Sequence, residues 1–183
     1  MSSKEAENHA KCETSLKTSI TDQRVHTILD AISRSGCYIP PDFVKCAPCN
    51  TNATAAVFSN QKGVTICENN IFGRRDLVDR AVAHELIHAF DYCRANMQMS
   101  NCAHLACSEI RAANLSGDCH YSVEIQRHPL NIFKLKNQHN ECVRRRAILS
   151  LKSNPLCGED AEQAVDSVWR SCVNDYSPFG YIP

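Results

Sequence analysis

The chain has 183 residues, 43% of them hydrophobic, which suits one globular domain with a buried core. Lys plus Arg and Asp plus Glu both number 20, so the formal net charge is zero and direct nucleic-acid binding is not expected. No stretch approaches the roughly 20 apolar residues that span a bilayer, so any membrane association is expected to be peripheral. The densest basic run, Arg144-Arg145-Arg146, is interpreted as a solvated helix face.

The chain contains 12 cysteines among its 183 residues. This content of about 7% is just under the roughly 8–10% that marks a disulfide scaffold. A reducing cytosol rarely accommodates so many unless they bind metal. The segment Met1–Lys11 lacks the apolar core of a secretory signal and is not Arg-rich like an ordinary mitochondrial presequence. The cysteines therefore indicate either several zinc sites or an oxidising compartment that the chain enters by another route.

The first part of the chain is predicted to pass from a flexible end into a helix. Residues 1–19 are expected to form a flexible N-terminus, and residues 20–183 a single domain. Apolar residues at helical spacing predict the first helix, with Gly36 after its end: Val25, Ile28, Leu29 and Ile32.

The segment Cys37–Asn52, with three prolines, is expected to be an irregular, crosslinked loop. Its Cys46 and Cys49 have the spacing of half a structural zinc site. Because no second C-x-x-C occurs in the chain, a disulfide role is favoured for both, with partners left open.

A β-hairpin is predicted next, from Ala55–Ser59 and Val64–Cys67 joined by a turn that contains Gly63. One of its strands is expected to bind an extended peptide by main-chain pairing, with Val64–Cys67 as the strand to test.

Helices dominate the remainder of the chain. Their predicted bounds are Asp76 to Tyr92 or Arg94, about His104–Leu115 before Gly117, Gln138–Lys152, and an apolar stripe within Ala161–Cys172. The predicted fold class is therefore α+β, mainly helical, with a small hairpin or sheet and disulfide crosslinks.

The sequence His84-Glu85-Leu86-Ile87-His88 lies within the first of these helices and spells H-E-x-x-H. His84 and His88 are one helical turn apart, so both imidazoles can bind one zinc ion. Glu85 can act as the catalytic base that takes a proton from the zinc-bound water. This motif predicts a zincin-like metalloendopeptidase.

A catalytic zinc needs a third protein ligand, and two downstream residues compete for this role. Glu109 lies on the predicted second helix beside the small Ala112 and Ala113, and His104 lies near the start of that helix. Five residues turn about 140° around an α-helix, so one regular helix does not present both side chains to one metal. We favour Glu109 as the ligand and expect His104 to cap the helix, orient a ligand or hold substrate.

Other polar residues near the motif have open assignments. Asp91 either accepts a hydrogen bond from a ligand histidine or is an exposed carboxylate. Arg111, His120 and Tyr121 are equal candidates for stabilising the oxyanion of the tetrahedral intermediate.

Helix geometry separates the nearby cysteines from the metal. Cys93 lies about 180° around the helix from His84, and Cys107 about 160° from Glu109. Both are therefore predicted to be disulfide partners or buried thiols rather than zinc ligands.

The strings His84–Asp91 and His104–Cys119 resemble the mitochondrial inner membrane metalloprotease family that processes an ATP synthase subunit, whose vertebrate member is also described as a Ku-binding protein. Further matches extend the resemblance over about residues 35–182: Cys93-Arg94, Gly63–Asn70, Cys142–Ala147 and Ser177–Gly180. The resemblance implies zinc as cofactor, with His84 and His88 as ligands and Glu85 as the base. It also implies structural disulfides made by the import relay of the mitochondrial intermembrane space.

The family resemblance further implies a protein that is peripheral to the inner membrane, processes the precursor of an ATP synthase membrane subunit and is an assembly factor for ATP synthase. A monomer is expected. One alternative is a non-enzymatic assembly factor or chaperone for ATP synthase in which the metal is structural. Another alternative is a DNA-repair-associated, Ku-binding role.

Overall fold

The structure is a computed structural model that describes residues 3–50, 54–71, 74–128 and 137–183. Its internal contacts separate two compact units, Met1–Ala95 and Asn96–Pro183. Each unit contains three disulfide bonds between its own cysteines. That residues 20–183 form a single domain remains a prediction.

The first unit combines three helices with a three-stranded sheet. In chain order its elements are α1 (Ser3–Ser19), α2 (Gln23–Arg34), β1 (Val44–Ala47), β2 (Ala56–Ser59), β3 (Gly63–Cys67) and α3 (Arg75–Arg94). The strand order is β1-β3-β2, with β1 parallel and β2 antiparallel to β3.

Helix α1 occupies the segment that was expected to be flexible. Cys12, Ser15, Leu16 and Ser19 are buried at helical spacing, and a disulfide joins Cys12 to Cys46 of β1. Two of the four buried residues are serines, so the pattern of apolar residues does not reveal the buried face. The difference from the prediction therefore arises from tertiary packing and a distant crosslink.

The predicted hairpin is confirmed as β2 and β3, and a third strand joins it. Gly63 begins β3 at a φ of +70°, and a Cβ there would overlap the carbonyl oxygen of Phe43. Val44–Ala47, within the loop predicted to be irregular, pairs with Val64–Cys67. The last two residues of that predicted loop, 51 and 52, lie outside the described residues.

The sheet order changes the expected place for peptide binding. Because β3 pairs with a neighbour on each side, Val64–Cys67 offers no open edge, and the expectation that it binds peptide is wrong. The edge strand of the hairpin is β2.

The core of the first unit lies between α2, α3 and the sheet. Asp22 caps α2 by accepting hydrogen bonds from two backbone N–H groups, and Gly36 follows the helix with a φ of +89°. Side chains of both helices are buried in this core: Val25, Ile28, Ile32, Val78, Val82, Leu86 and Ile87. A disulfide from Cys37 to Cys93 fixes the end of α3 to the segment after α2.

The second unit is helical in its described part. Its helices are α4 (Cys102–Leu115), α5 (Tyr121–Arg127), α6 (Gln138–Lys152) and α7 (Ala161–Cys172). Helix α4 packs against both α6 and α7. Three disulfides crosslink this unit: Cys102–Cys157, Cys107–Cys172 and Cys119–Cys142.

Each arginine of the basic run on α6 forms an ion pair within the second unit. Arg144 pairs with Asp166, Arg145 with Glu124, and Arg146 with Asp118. Glu124 and Asp118 are each only 6% exposed, so Arg145 and Arg146 pair with buried carboxylates. Arg144 thus fits the predicted solvated face, whereas Arg145 and Arg146 differ from it because they pair with buried carboxylates.

The predicted fold class is confirmed for the described residues, which form an α+β, mainly helical structure with a small sheet and six disulfides. Among these residues, the helices are all too short or too polar to cross a bilayer.

Candidate active site

The H-E-x-x-H motif lies on α3, as the sequence predicted. His84 and His88 are both half-buried, and their rings lie 4.9 Å apart between centroids with planes inclined by 77°. Leu86 and Ile87 are fully buried in the core of the first unit. The helix therefore separates its apolar anchors from two neighbouring imidazoles.

Glu85 is fixed to the edge of the sheet. Its Oε2 accepts a hydrogen bond of 2.7 Å from the backbone N–H of Phe58, in β2. This bond joins a carboxylate to a main-chain donor, a pairing stronger than that between two neutral groups. The expected catalytic base is thus held by a strand that is distant in sequence.

Tyr92 makes two further links between α3 and the hairpin. Its ring lies 6.1 Å from that of Phe58 between centroids, with planes inclined by 60°. Its hydroxyl accepts a 3.1 Å hydrogen bond from Nδ2 of Asn60. Because Tyr92 lies seven residues after Glu85, both side chains project from the same side of α3.

The two candidates for the third ligand both lie on α4 in the second unit. Backbone N–H of Gln98 donates a 3.1 Å hydrogen bond to Nδ1 of His104, and the cap of α4 is Asn101. His104 therefore closes the turn before the helix and does not cap it. Glu109 lies mid-helix and is half-buried. Its assignment as a metal ligand remains a prediction.

Asp91 is buried, at 6% exposure, so the alternative of an exposed carboxylate is wrong. Its Oδ1 accepts a 3.0 Å hydrogen bond from Nε of Arg94, whose guanidinium lies 5.0 Å from the ring centroid of Phe90. The hydrogen bond from a ligand histidine to Asp91 stays a prediction.

Two of the three oxyanion candidates bind the C-terminal segment. Arg111, 1% exposed, donates hydrogen bonds to the backbone oxygens of Asp175 and Ser177 and pairs with the Asp175 carboxylate at 2.8 Å. Nε2 of His120 lies 2.8 Å from the backbone oxygen of Pro183. The third candidate, Tyr121, is 39% exposed. The sequence offered no local signal for this anchoring of the C-terminal segment.

The disulfide role predicted for the cysteines is confirmed. Cys93 and Cys107 pair with Cys37 and Cys172, and neither is a free thiol. Cys46 and Cys49 are also disulfide-bonded, but to Cys12 and Cys67 rather than to one another.

Comparison with known proteins gives the family. A family model described as the Peptidase M76 family matches residues 10–180. The chain belongs to the peptidase M76 family. This assignment confirms the resemblance in the sequence and makes the half-buried face of α3 the candidate active site of a peptidase.

Named relatives of this M76 member cover most of its length. It is 45% identical to the human mitochondrial inner membrane protease ATP23 homolog over 180 residues, which are 96% of this chain and 72% of that protein. The protein of the same name from Xenopus laevis is 43% identical over 96% of this chain and 74% of its own length. The mitochondrial inner membrane protease atp23 of Schizosaccharomyces pombe is 38% identical over 83% of this chain and 81% of its own. No solved structure matches the chain.

Proposed function

We propose that this M76 peptidase is a zinc-dependent metalloendopeptidase of zincin-like fold. The observation that carries the proposal is the pair of half-buried imidazoles of His84 and His88 beside Glu85 on one helix. Imidazole nitrogen is a preferred zinc donor, and an H-E-x-x-H helix supplies two such ligands and a general base.

The third ligand in this proposal is Glu109. Glu109 and His104 lie on one regular helix, α4, so their side chains project about 140° apart and cannot bind the same ion. His104 has its Nδ1 hydrogen-bonded to the backbone at Gln98. The donor set His84, His88 and Glu109 gives two imidazoles and one carboxylate, a combination used by catalytic zinc sites that keep a fourth position open.

In the proposed hydrolysis, the bound metal and Glu85 have separate roles. Bound zinc would polarise the scissile carbonyl and lower the pKa of the attacking water. Glu85 would accept the proton from that water and then donate it to the leaving amine nitrogen, as a general base followed by a general acid. No covalent bond between enzyme and peptide forms in this scheme.

Strand β2 is the proposed binding edge for the substrate peptide. Ala55 and Cys67 share a backbone hydrogen bond, so the alternation of an antiparallel pair directs the polar backbone groups of Ala56 and Phe58 away from β3. A peptide in extended form would pair with the groups of this outer edge other than the Phe58 N–H, which donates to Glu85. Glu85, bonded to Phe58, would then lie beside the peptide backbone.

The biological setting is proposed from the relatives. Their names describe mitochondrial inner membrane proteases. We propose that this chain acts as a monomer in the intermembrane space, peripheral to the inner membrane. By its family resemblance, its substrate would be the precursor of an ATP synthase membrane subunit.

The test uses Glu85→Gln and the wild-type protein, each incubated with a library of unstructured peptides that is read by mass spectrometry. Zinc content is measured on the same samples. Wild type is expected to cleave and to bind one zinc ion, while Glu85→Gln binds zinc but does not cleave. Cleavage by Glu85→Gln at the wild-type rate would refute the assignment of the base.

The same variant separates peptidase action from an assembly role. In cells that lack their own M76 protein, wild type and Glu85→Gln are compared for precursor processing and for ATP synthase assembly. Loss of both processing and assembly in Glu85→Gln would show that assembly depends on cleavage. Loss of processing alone would show that the assembly role depends on binding and not on cleavage.

A further inference from the structure

We propose that the backbone amide of Phe58 is a positioning group for Glu85, which fixes one carboxylate oxygen so that the other can transfer the proton. The hydrogen bond between Phe58 N–H and Glu85 Oε2 measures 2.7 Å and joins residues 27 positions apart. This inference rests on the proposed function, because it assigns the general base to Glu85.

The register of the hairpin explains why this amide reaches the helix. Phe58 lies opposite Val64 in β3, and the backbone bond from Cys67 to Ala55 marks the positions that pair across the ladder. Hydrogen-bonded and non-hydrogen-bonded pairs alternate along antiparallel strands. Phe58 is three residues from Ala55, so its backbone forms no hydrogen bond with β3. Its N–H therefore points away from β3 and meets Glu85 without loss of a ladder bond.

Side-chain contacts hold the β2–β3 hairpin against the part of α3 that carries Glu85. The ring of Phe58 packs against that of Tyr92, and Asn60 donates to the Tyr92 hydroxyl. Tyr92 and Glu85 project from the same side of α3 two turns apart. Thus the strand is fixed to the helix at a second point, which keeps the Phe58 amide within reach of the carboxylate.

A glutamate side chain has three rotatable bonds, so a base on a helix surface samples several positions unless another group restrains it. A proton acceptor must lie within hydrogen-bond reach of the attacking water, and small displacements reduce the rate strongly. A bond from the main chain restrains Oε2 without a second flexible side chain. The restraint should act on the chemical step more than on substrate binding.

The first experiment measures hydrogen exchange of the Phe58 amide by NMR in zinc-free protein without substrate. In wild type this amide should exchange at least about tenfold more slowly than in Glu85→Ala, which lacks the acceptor. The Ala56 amide, directed outward from the same strand, is the control, and the Val57 amide reports that the ladder is intact. Equal exchange at Phe58 in the two proteins would overturn the proposal.

The second experiment replaces Phe58 by phenyllactic acid in a translated chain, which keeps the ring and exchanges the N–H for an ester oxygen. The expected result is a fall in kcat of about 10- to 100-fold with KM and zinc content unchanged. The matched control is the chain made by the same procedure with phenylalanine at position 58, which keeps both the ring and the N–H and should show the wild-type kcat. An unchanged kcat in the ester variant would refute the inference.

The two experiments separate this inference from the proposed function. Amide exchange requires neither metal nor catalysis, so protection by Glu85 would stand even if the wild type cleaved nothing. Absence of cleavage by zinc-loaded wild type would refute the peptidase mechanism alone. Should the ester variant fail to form its disulfides, the comparison of Phe58 exchange between wild type and Glu85→Ala decides the proposal.

Discussion

His84 and His88 present neighbouring imidazoles from successive turns of α3, 4.9 Å apart between ring centroids. Removal of either ring would leave the proposed zinc site incomplete, because a catalytic zinc requires three protein ligands. We expect His88→Ala to bind less than one-tenth of the wild-type zinc at equal concentration, because removal of a ligand weakens zinc binding by more than the roughly 10- to 100-fold caused by removal of an outer partner. The zinc-to-protein ratio measures this effect. His26→Ala, which changes an exposed histidine of the same unit, should retain full zinc.

The choice between Glu109 and His104 can be tested by zinc affinity. Glu109→Ala is expected to weaken zinc binding by more than about 100-fold. Removal of a ligand costs more zinc affinity than removal of a residue that only hydrogen-bonds to a ligand. His104→Ala should keep the wild-type affinity, since His104 accepts a backbone hydrogen bond from Gln98. Competition with a chromophoric chelator gives both values. Full affinity in Glu109→Ala would show that another residue supplies the third ligand.

The buried carboxylate of Glu124 should stabilise the second unit at neutral pH. Burial raises its pKa, but hydrogen bonds and charge from Arg145 and Arg127 outweigh burial and hold the pKa below the usual 4.5. The stabilisation is therefore present above about pH 4.5 and is lost as the pH falls through the folded-state pKa. Glu124→Gln is expected to lower the free energy of unfolding by about 2 kcal/mol at pH 7.

Urea unfolding of wild type and Glu124→Gln, with disulfides intact, would measure this difference as a function of pH. The difference in the free energy of unfolding between the two proteins should become smaller below pH 4.5. A gap that stayed constant from pH 7 to pH 3 would assign the loss to packing instead of charge. Glu141→Gln, an exposed glutamate at the start of α6, provides the control.

The contact between His9 and Glu68 should make the docking of α1 dependent on pH. The ring Nδ1 of His9 lies 2.7 Å from Oε2 of Glu68, and this hydrogen bond raises the pKa of His9 above 6.5. A raised pKa means that the contact stabilises the folded state fully below the unfolded value and weakens as pH rises through the folded value. NMR titration of the His9 ring is expected to show a lower pKa in Glu68→Gln than in wild type. The same pKa in both proteins would contradict the interaction.

The local sequence predicted the elements that carry the chemistry. The bounds of α6 and α7, the β2–β3 hairpin and the helix around His84 follow from apolar spacing and turn residues, which depend on near neighbours along the chain. The buried side of α3 also follows from the spacing, since Leu86 and Ile87 are buried and the histidines are only half-buried. Motif chemistry then identified the candidate base and two candidate metal ligands.

Tertiary structure decided the features that depend on residues distant in sequence. Strand β1 forms because Val44–Ala47 finds β3 as a partner, and this pairing leaves β2 as the edge of the hairpin. Disulfide partners also follow from spatial proximity, which spacing along the chain does not encode. The bond from Phe58 to Glu85 depends on both sheet register and helix position. The sequence by itself thus named Glu85 as the candidate base, whereas only the folded chain showed which backbone group holds it.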